Sequence, residues 1–408
     1  MKLAKLSLAA IVVAGLATSS FAADTLEGAF KEGKVTGALK AYYFSNDDGT
    51  DREGILNTGI TLNYKTGSLN GFGANFTVQT NHAPFASADA KNRFDGYEYG
   101  SGAQLSEAYI SYTMKGTSIL VGRMFLDTPL VGSSGSSFVK QAFEGAAFIN
   151  TDLPNTTLIA GYVQKFQNRT DGAGNIGTFE KTFATGSSID VPLEDGGYTV
   201  AAINKSIAGL TLTAAYADAI DVVKIAYAEA AYEGKASNFG YTLAGQYYYN
   251  SFDNGILNVG SDDNINVYGL KAGASVSGIN AYVAYSQVSD DAVIESISGT
   301  SNNVGVVSGL GGGADLLYTA PVIYGNQYTQ NATSYAVDVN YDVMPQLNVG
   351  ARYVNIDNDT NKYAYTGVYG AYSFEGALKN LSLGVEFEKG SKDASEDQEL
   401  RVKANYKF

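Results

Sequence analysis

Apolar and polar residues alternate with period two along most of the chain. In LRVKANYKF, the last nine residues, Leu400, Val402, Ala404, Tyr406 and Phe408 are apolar, and Arg401, Lys403, Asn405 and Lys407 between them are polar. Side chains point to opposite faces of a β-strand at this spacing, so the pattern predicts a strand running to the end of the chain. The same alternation appears at Leu56–Tyr64, with Asn57, Thr61 and Asn63 on the second face, and at Phe72–Val78 after the turn TGSLNG. It returns at Phe239–Tyr249, at Tyr335–Tyr341 with Asp338 and Asn340 opposite, and at Leu381–Phe387 with Glu386 and Glu388 opposite.

A soluble sandwich alternates too, so the connections must decide the class. Reading from Val35, the linkers are alternately short and long. TGSLNG, KGT, DLPN, IAG, EGKAS, SGI, VMPQ and EGALK are short; residues 81–103, 126–141, 167–196, 250–263 and 288–332 are long. Turns at one end and long loops at the other are the signature of an outer-membrane barrel. The pattern predicts an all-β fold, a transmembrane antiparallel barrel of about eighteen strands with short periplasmic turns. An even count returns the final strand to the first, near Val35–Phe44, and leaves no open edge. The apolar row of LRVKANYKF then faces lipid. Tyrosines near both strand ends supply the aromatic girdles that such a barrel carries.

Composition agrees. Residues 1–22 read as a secretory signal peptide, with Lys2 and Lys5 ahead of an apolar run and small Ser20 and Ala22 before Ala23. Its removal takes the formal charge from −14 to −16 and leaves residues 23–408 as one barrel domain. Such acidity argues against nucleic acid as a partner. Cysteine is absent, so neither disulfides nor thiolate sites exist. No apolar run of transmembrane-helix length follows the leader, and a closed barrel is the other structure able to satisfy its backbone in lipid. The expected location is the bacterial outer membrane.

Residues 119–172 contain Gly122-Arg123, Leu126-Asp127-Thr128-Pro129, Phe143-Glu144-Gly145 and a strand over Leu158–Thr170. On these motifs the chain resembles the OprD-type porins and the major outer-membrane porins of epsilonproteobacteria. The resemblance implies an eighteen-stranded barrel, a homo-oligomer that is often a trimer, and third and seventh loops folded inward near 126–141 and 288–332. The apolar, glycine-rich VVSGLGGGADLL supports the second assignment independently, because it is unlike a solvated surface loop.

Some members of that family carry an arginine ladder for anionic solutes, and others prefer cations. Arginine is scarce here, and the expected pore-lining charges are mixed: Glu107, Arg123, Asp127, Glu144, Lys165, Arg169, Asp338, Arg352, Glu386 and Glu388. Opposed charges across a narrow lumen create a transverse field that filters ions. Arg123 and Glu144 stand out because they bracket the third loop, although Arg123 shares its strand face with Ile119 and Val121.

Chemistry beyond passage finds little support. His82, the only histidine, lies in a loop without a nucleophile elbow, which argues against an enzyme. GLGGGA at 309–314 lacks the strand and helix of a dinucleotide site. The acidic loops 46–51, 261–264 and 357–361 offer oxygen ligands for weak calcium binding, but none continues as an EF-hand, and no cofactor is expected. The expected function is passive diffusion of small hydrophilic solutes and ions, with cations favoured by the acidic balance. The alternatives are an adhesin or scaffold barrel with a plugged lumen, and a soluble secreted β-protein.

Overall fold

The computed structural model describes residues 23–184, 190–253, 262–297, 300–314, 317–325, 328–394 and 397–408; the proposed signal peptide lies outside them. Eighteen strands form one closed antiparallel barrel. They are β1 (Lys34–Asp47), β2 (Arg52–Lys65), β3 (Phe72–Asn81), β4 (Gly102–Met114), β5 (Thr117–Met124) and β6 (Ala142–Asn150). β7 (Thr156–Gln167), β8 (Gly197–Asn204), β9 (Leu210–Ala219), β10 (Val223–Ala236), β11 (Phe239–Phe252) and β12 (Asn264–Val276) follow. β13 (Ile279–Val288), β14 (Thr333–Met344), β15 (Leu347–Asp357), β16 (Lys362–Ser373), β17 (Leu381–Lys392) and β18 (Gln398–Lys407) complete the wall. No helix among the described residues is long and apolar enough to cross a membrane.

The final strand closes the barrel. β18 pairs with β1 from Ala38↔Lys407 to Asp47↔Gln398, and Phe408 exchanges backbone hydrogen bonds with Gly37 at 2.9 and 3.0 Å. Every strand therefore has two neighbours, which removes the edges that would otherwise invite pairing with another chain.

Alternation sets two surfaces. Leu39, Tyr43, Leu243, Leu270, Val283, Val337 and Val385 point outward and are exposed, as a wall against hydrocarbon must be. Phe44, Asn57, Gln79, Tyr248, Asn250, Asp338 and Glu388 point inward and are buried. A lumen open throughout would leave such residues wet. The burial comes from loops that enter the barrel.

Candidate functional site

The third loop, residues 125–141, is tied at both ends to the inner faces of β3 and β4. A bulge between β3 and β4 shifts the register at Thr77 and Val78. Ser106 and Glu107, though consecutive, therefore both meet inward-facing side chains of β3. Ser106 receives a hydrogen bond from Gln79, and Glu107 receives one each from Asn75 and Thr77. The other carboxylate oxygen of Glu107 accepts from Phe125 N at 3.2 Å and fixes the start of the loop. Gln79 fixes its end by bonding both Lys140 N and Lys140 O, at 2.9 and 2.8 Å. Between these anchors Phe138 reaches β1, where its ring meets Tyr42 edge-on at 5.2 Å and its carbonyl accepts from Lys40 Nζ. Glu98 of the second loop accepts from Phe138 N at 3.0 Å.

The seventh loop, residues 289–332, lies along the opposite wall. Asn250 of β11 bonds Val307 N and O, both at 2.9 Å, and Gln246 accepts from Tyr318 N at 3.0 Å. Thr319 meets Ser286 of β13, and Arg352 of β15 donates to Ala320 O at 3.0 Å. Glu388 of β17 accepts from three consecutive amides, Val322 N, Ile323 N and Tyr324 N, at 2.8, 2.7 and 2.8 Å. Val304, Val306, Val307, Leu310 and Leu317 join a buried cluster with inward Ile225, Tyr248 and Val267. The loop thus fills the lumen beside β10 to β13 and pairs most of the polar groups that its burial would orphan, Gln246 Nε2, Ser308 Oγ and Tyr324 Oη excepted.

The two loops meet at the glycine run. Gly132 N donates to Leu310 O, Leu310 N to Leu130 O, and Gly313 N to Gly132 O, at 3.0, 2.8 and 3.0 Å. A Cβ on Gly132 would stand 2.3 Å from the backbone of Gly313, and Gly311 holds a left-handed φ of +76°. GLGGGA is glycine-rich so that two backbones can touch, not to cradle a phosphate.

The expected charges divide into three groups. Asp338 and Arg352 face inward and pair at 2.9 Å, with Tyr369 also donating to Asp338, beneath the seventh loop. Glu107, Asp127 and Arg169 stand with the third loop. Burial raises the Asp127 carboxyl above the usual carboxylate range and lowers the Arg169 guanidinium. Arg169 donates to Ser134 Oγ and Ser136 Oγ at 3.4 and 3.2 Å, its Nε is buried without a partner, and no carboxylate forms an ion pair with it among the described residues.

Arg123, Glu144 and Lys165 are corrected. Ile119↔Phe148, Val121↔Ala146 and Arg123↔Glu144 are alternate pairs of one register row, and Ile119, Val121 and Phe148 are exposed on the outer wall. Their inward neighbours Leu120, Met124 and Phe143 are buried in the lumen cluster. These three charges therefore face away from the lumen, where Arg123 and Lys165 pair with Glu144 at 2.9 and 3.6 Å. The alternation already marked the outward face of Arg123; it was the bracketing of the third loop by Arg123 and Glu144 that pointed those two inward.

Several inward charges escaped that reading. Lys40 is the polar residue between outward Leu39 and Ala41, so the alternation could have found it. Arg401 and Lys403 occupy the polar row of the closing strand, where they pair with Glu399 and Glu386 at 2.6 and 2.8 Å. Lys140 sits in a loop, where no periodicity marks it; its Nζ lies 4.5 Å from the Phe125 ring centroid, and burial lowers its pKa.

Residues 28–408 match the family model described as outer membrane porin, OprD family. No curated protein sequence matches significantly. Among solved structures, OccK9 (OpdG) of Pseudomonas aeruginosa is 15% identical with a TM-score of 0.79, covering 93% of this chain and 99% of its own. OccAB2 of Acinetobacter baumannii is 18% identical with a TM-score of 0.77, covering 93% and 99%. OpdK of Pseudomonas aeruginosa, solved with vanillate, is 16% identical with a TM-score of 0.73, covering 93% and 100%. At these identities the likeness is one of fold.

Proposed function

The chain belongs to the OprD family of outer membrane porins, and we propose that it is a passive diffusion channel whose narrow part favours small hydrophilic solutes carrying negative charge. The seventh loop occupies the lumen beside β10 to β13 and also covers Arg352 on β15 and Glu388 on β17, so the solute path runs beside β1, β18 and the Glu386 level of β17, bounded by the third loop. Lys40, Lys140, Arg169, Arg401 and Lys403 stand along it, with Glu98, Glu386 and Glu399 interspersed. No covalent step is needed: a wet, charged constriction selects by size and field alone.

One observation carries the preference. Lys40, Lys140 and Arg169 have no carboxylate at ion-pair distance among the described residues, and the acids beside them are otherwise engaged: Glu386 and Glu399 are each matched by a cation, Glu107 accepts from Asn75, Thr77 and Phe125 N, Glu98 accepts from Phe138 N, and burial raises the Asp127 carboxyl toward its neutral form. The acidic balance of the whole chain supports the opposite preference. Much of that charge lies in loops, however, where screening over about 8 Å at physiological ionic strength limits its reach into the lumen.

Swelling of liposomes carrying the purified protein tests this reading. Cationic, neutral and anionic solutes of equal size are compared. Faster entry of the anion, reduced towards the neutral rate by R169Q/K140Q, is the expected result. Equal rates for all three would refute the preference, and no swelling with any would refute the channel.

A further inference from the structure

The outward-facing ion cluster has no part in the lumen, yet charge on a lipid-facing wall needs a reason. Arg123, Glu144 and Lys165 are matched in register across β5, β6 and β7, close to the ends of those strands that lead into the third and fourth loops. Ile119 and Val121 on β5 and Phe148 on β6 lie nearer the membrane centre on the same face. Tyr162 on β7 and Tyr198 on β8 are also outward and exposed, at the level of an aromatic girdle. The cluster therefore lies at headgroup height, where a charge on the outer wall costs far less than at the membrane midplane.

Its donors are only partly used. Arg123 spends Nε on Glu144 at 2.9 Å, and neither terminal nitrogen has a hydrogen-bond partner among the described residues. One face of the guanidinium is packed by the Phe179 ring, whose centroid lies 4.3 Å away, which orients the free fork. Lys165 Nζ approaches Glu144 only to 3.6 Å, and its side chain is 39% exposed. With one carboxylate between two cations, the row keeps a net positive charge.

We propose that this row binds the phosphate-bearing headgroup of a saccharolipid in the outer leaflet, the Arg123 fork and the Lys165 ammonium each donating to phosphate oxygens. Arginine suits bidentate contact with phosphate, and basic groups at an interface attract anionic lipid headgroups. Glu144 and Phe179 act as positioning residues for the guanidinium.

Native mass spectrometry of the detergent-solubilised full chain, titrated with diphosphorylated lipid A, tests the proposal. R123A/K165A should weaken binding about tenfold, while E144Q leaves the two donors and weakens it less. Dephosphorylated lipid A should bind wild type and R123A/K165A equally. Heat-modifiable migration and wild-type single-channel conductance of R123A/K165A confirm that the barrel is intact. Equal binding of the phosphorylated lipid by both proteins overturns the proposal. So does an equal loss with the dephosphorylated lipid, and so does a change of oligomer mass without loss of lipid, which would assign the row to contact between copies. A reversal potential altered by R123A/K165A would return these residues to the lumen and overturn it as well.

Discussion

Replacing Glu388 by glutamine should loosen the seventh loop without unfolding the barrel. The carboxylate is fully buried and accepts from Val322, Ile323 and Tyr324 amides at 2.7–2.8 Å. Hydrogen bonds to a charged group contribute ~1.5–3 kcal/mol each. Glutamine keeps one acceptor oxygen and turns its NH2 toward the remaining donors, so at least one charged bond is lost and a donor faces a donor. A net loss of about 3 kcal/mol raises the detached population of this loop segment roughly a hundredfold. The backbone pairing of β17 with β16 and β18 is untouched, so the thermal midpoint of the barrel should fall little. Single-channel recording reads the effect as excess open-channel noise and brief changes of conductance in E388Q. E386Q, two residues along the same inward row, serves as the control. It breaks the Lys403 pair and should change selectivity rather than noise. Quiet E388Q channels identical to wild type would refute the idea that this carboxylate holds the loop. A collapse of barrel stability would show that Glu388 serves the wall instead.

Other perturbations probe the remaining contacts. Gly132→Val should separate the third and seventh loops by overpacking, at a cost of ~1–3 kcal/mol, because even a Cβ meets the Gly313 backbone at 2.3 Å; single-channel conductance should change while heat-modifiable folding persists. Removing Phe408 deletes two backbone bonds to Gly37, worth about 1 kcal/mol each, and should lower the thermal midpoint of the folded barrel. Asp48, in the loop between β1 and β2, is held down to about 2 from 3.8 by the backbone amides of Asp51 and Thr50 and by Arg93 at 2.7 Å. Because the folded value is depressed, its stabilisation is present above the ordinary carboxylate pKa and is lost as pH falls through about 2. The difference in thermal midpoint between wild type and D48N should therefore be constant from neutral pH to about 4 and vanish near 2.

The barrel was legible because the alternation is local and strict. LRVKANYKF predicted both its strand and its lipid-facing row, and only the pairing window on β1 moved, from Val35–Phe44 to Ala38–Asp47. The site was less legible for three physical reasons. A bulge turns Ser106 inward beside Glu107, which period-two counting cannot foresee. The partners of Glu388 lie more than sixty residues away, so no local pattern reveals its role. Arg123 shows the reverse error: Ile119 and Val121 marked its outward face, and the neighbouring loop distracted from it.

Current through single purified channels in a planar bilayer, under a salt gradient, tests the central claim most directly. The account predicts discrete conductance steps with a reversal potential of the anion sign, shifted toward cations in R169Q/K140Q. Silence from correctly folded protein, or steps whose reversal potential has the cation sign and ignores those substitutions, would contradict it.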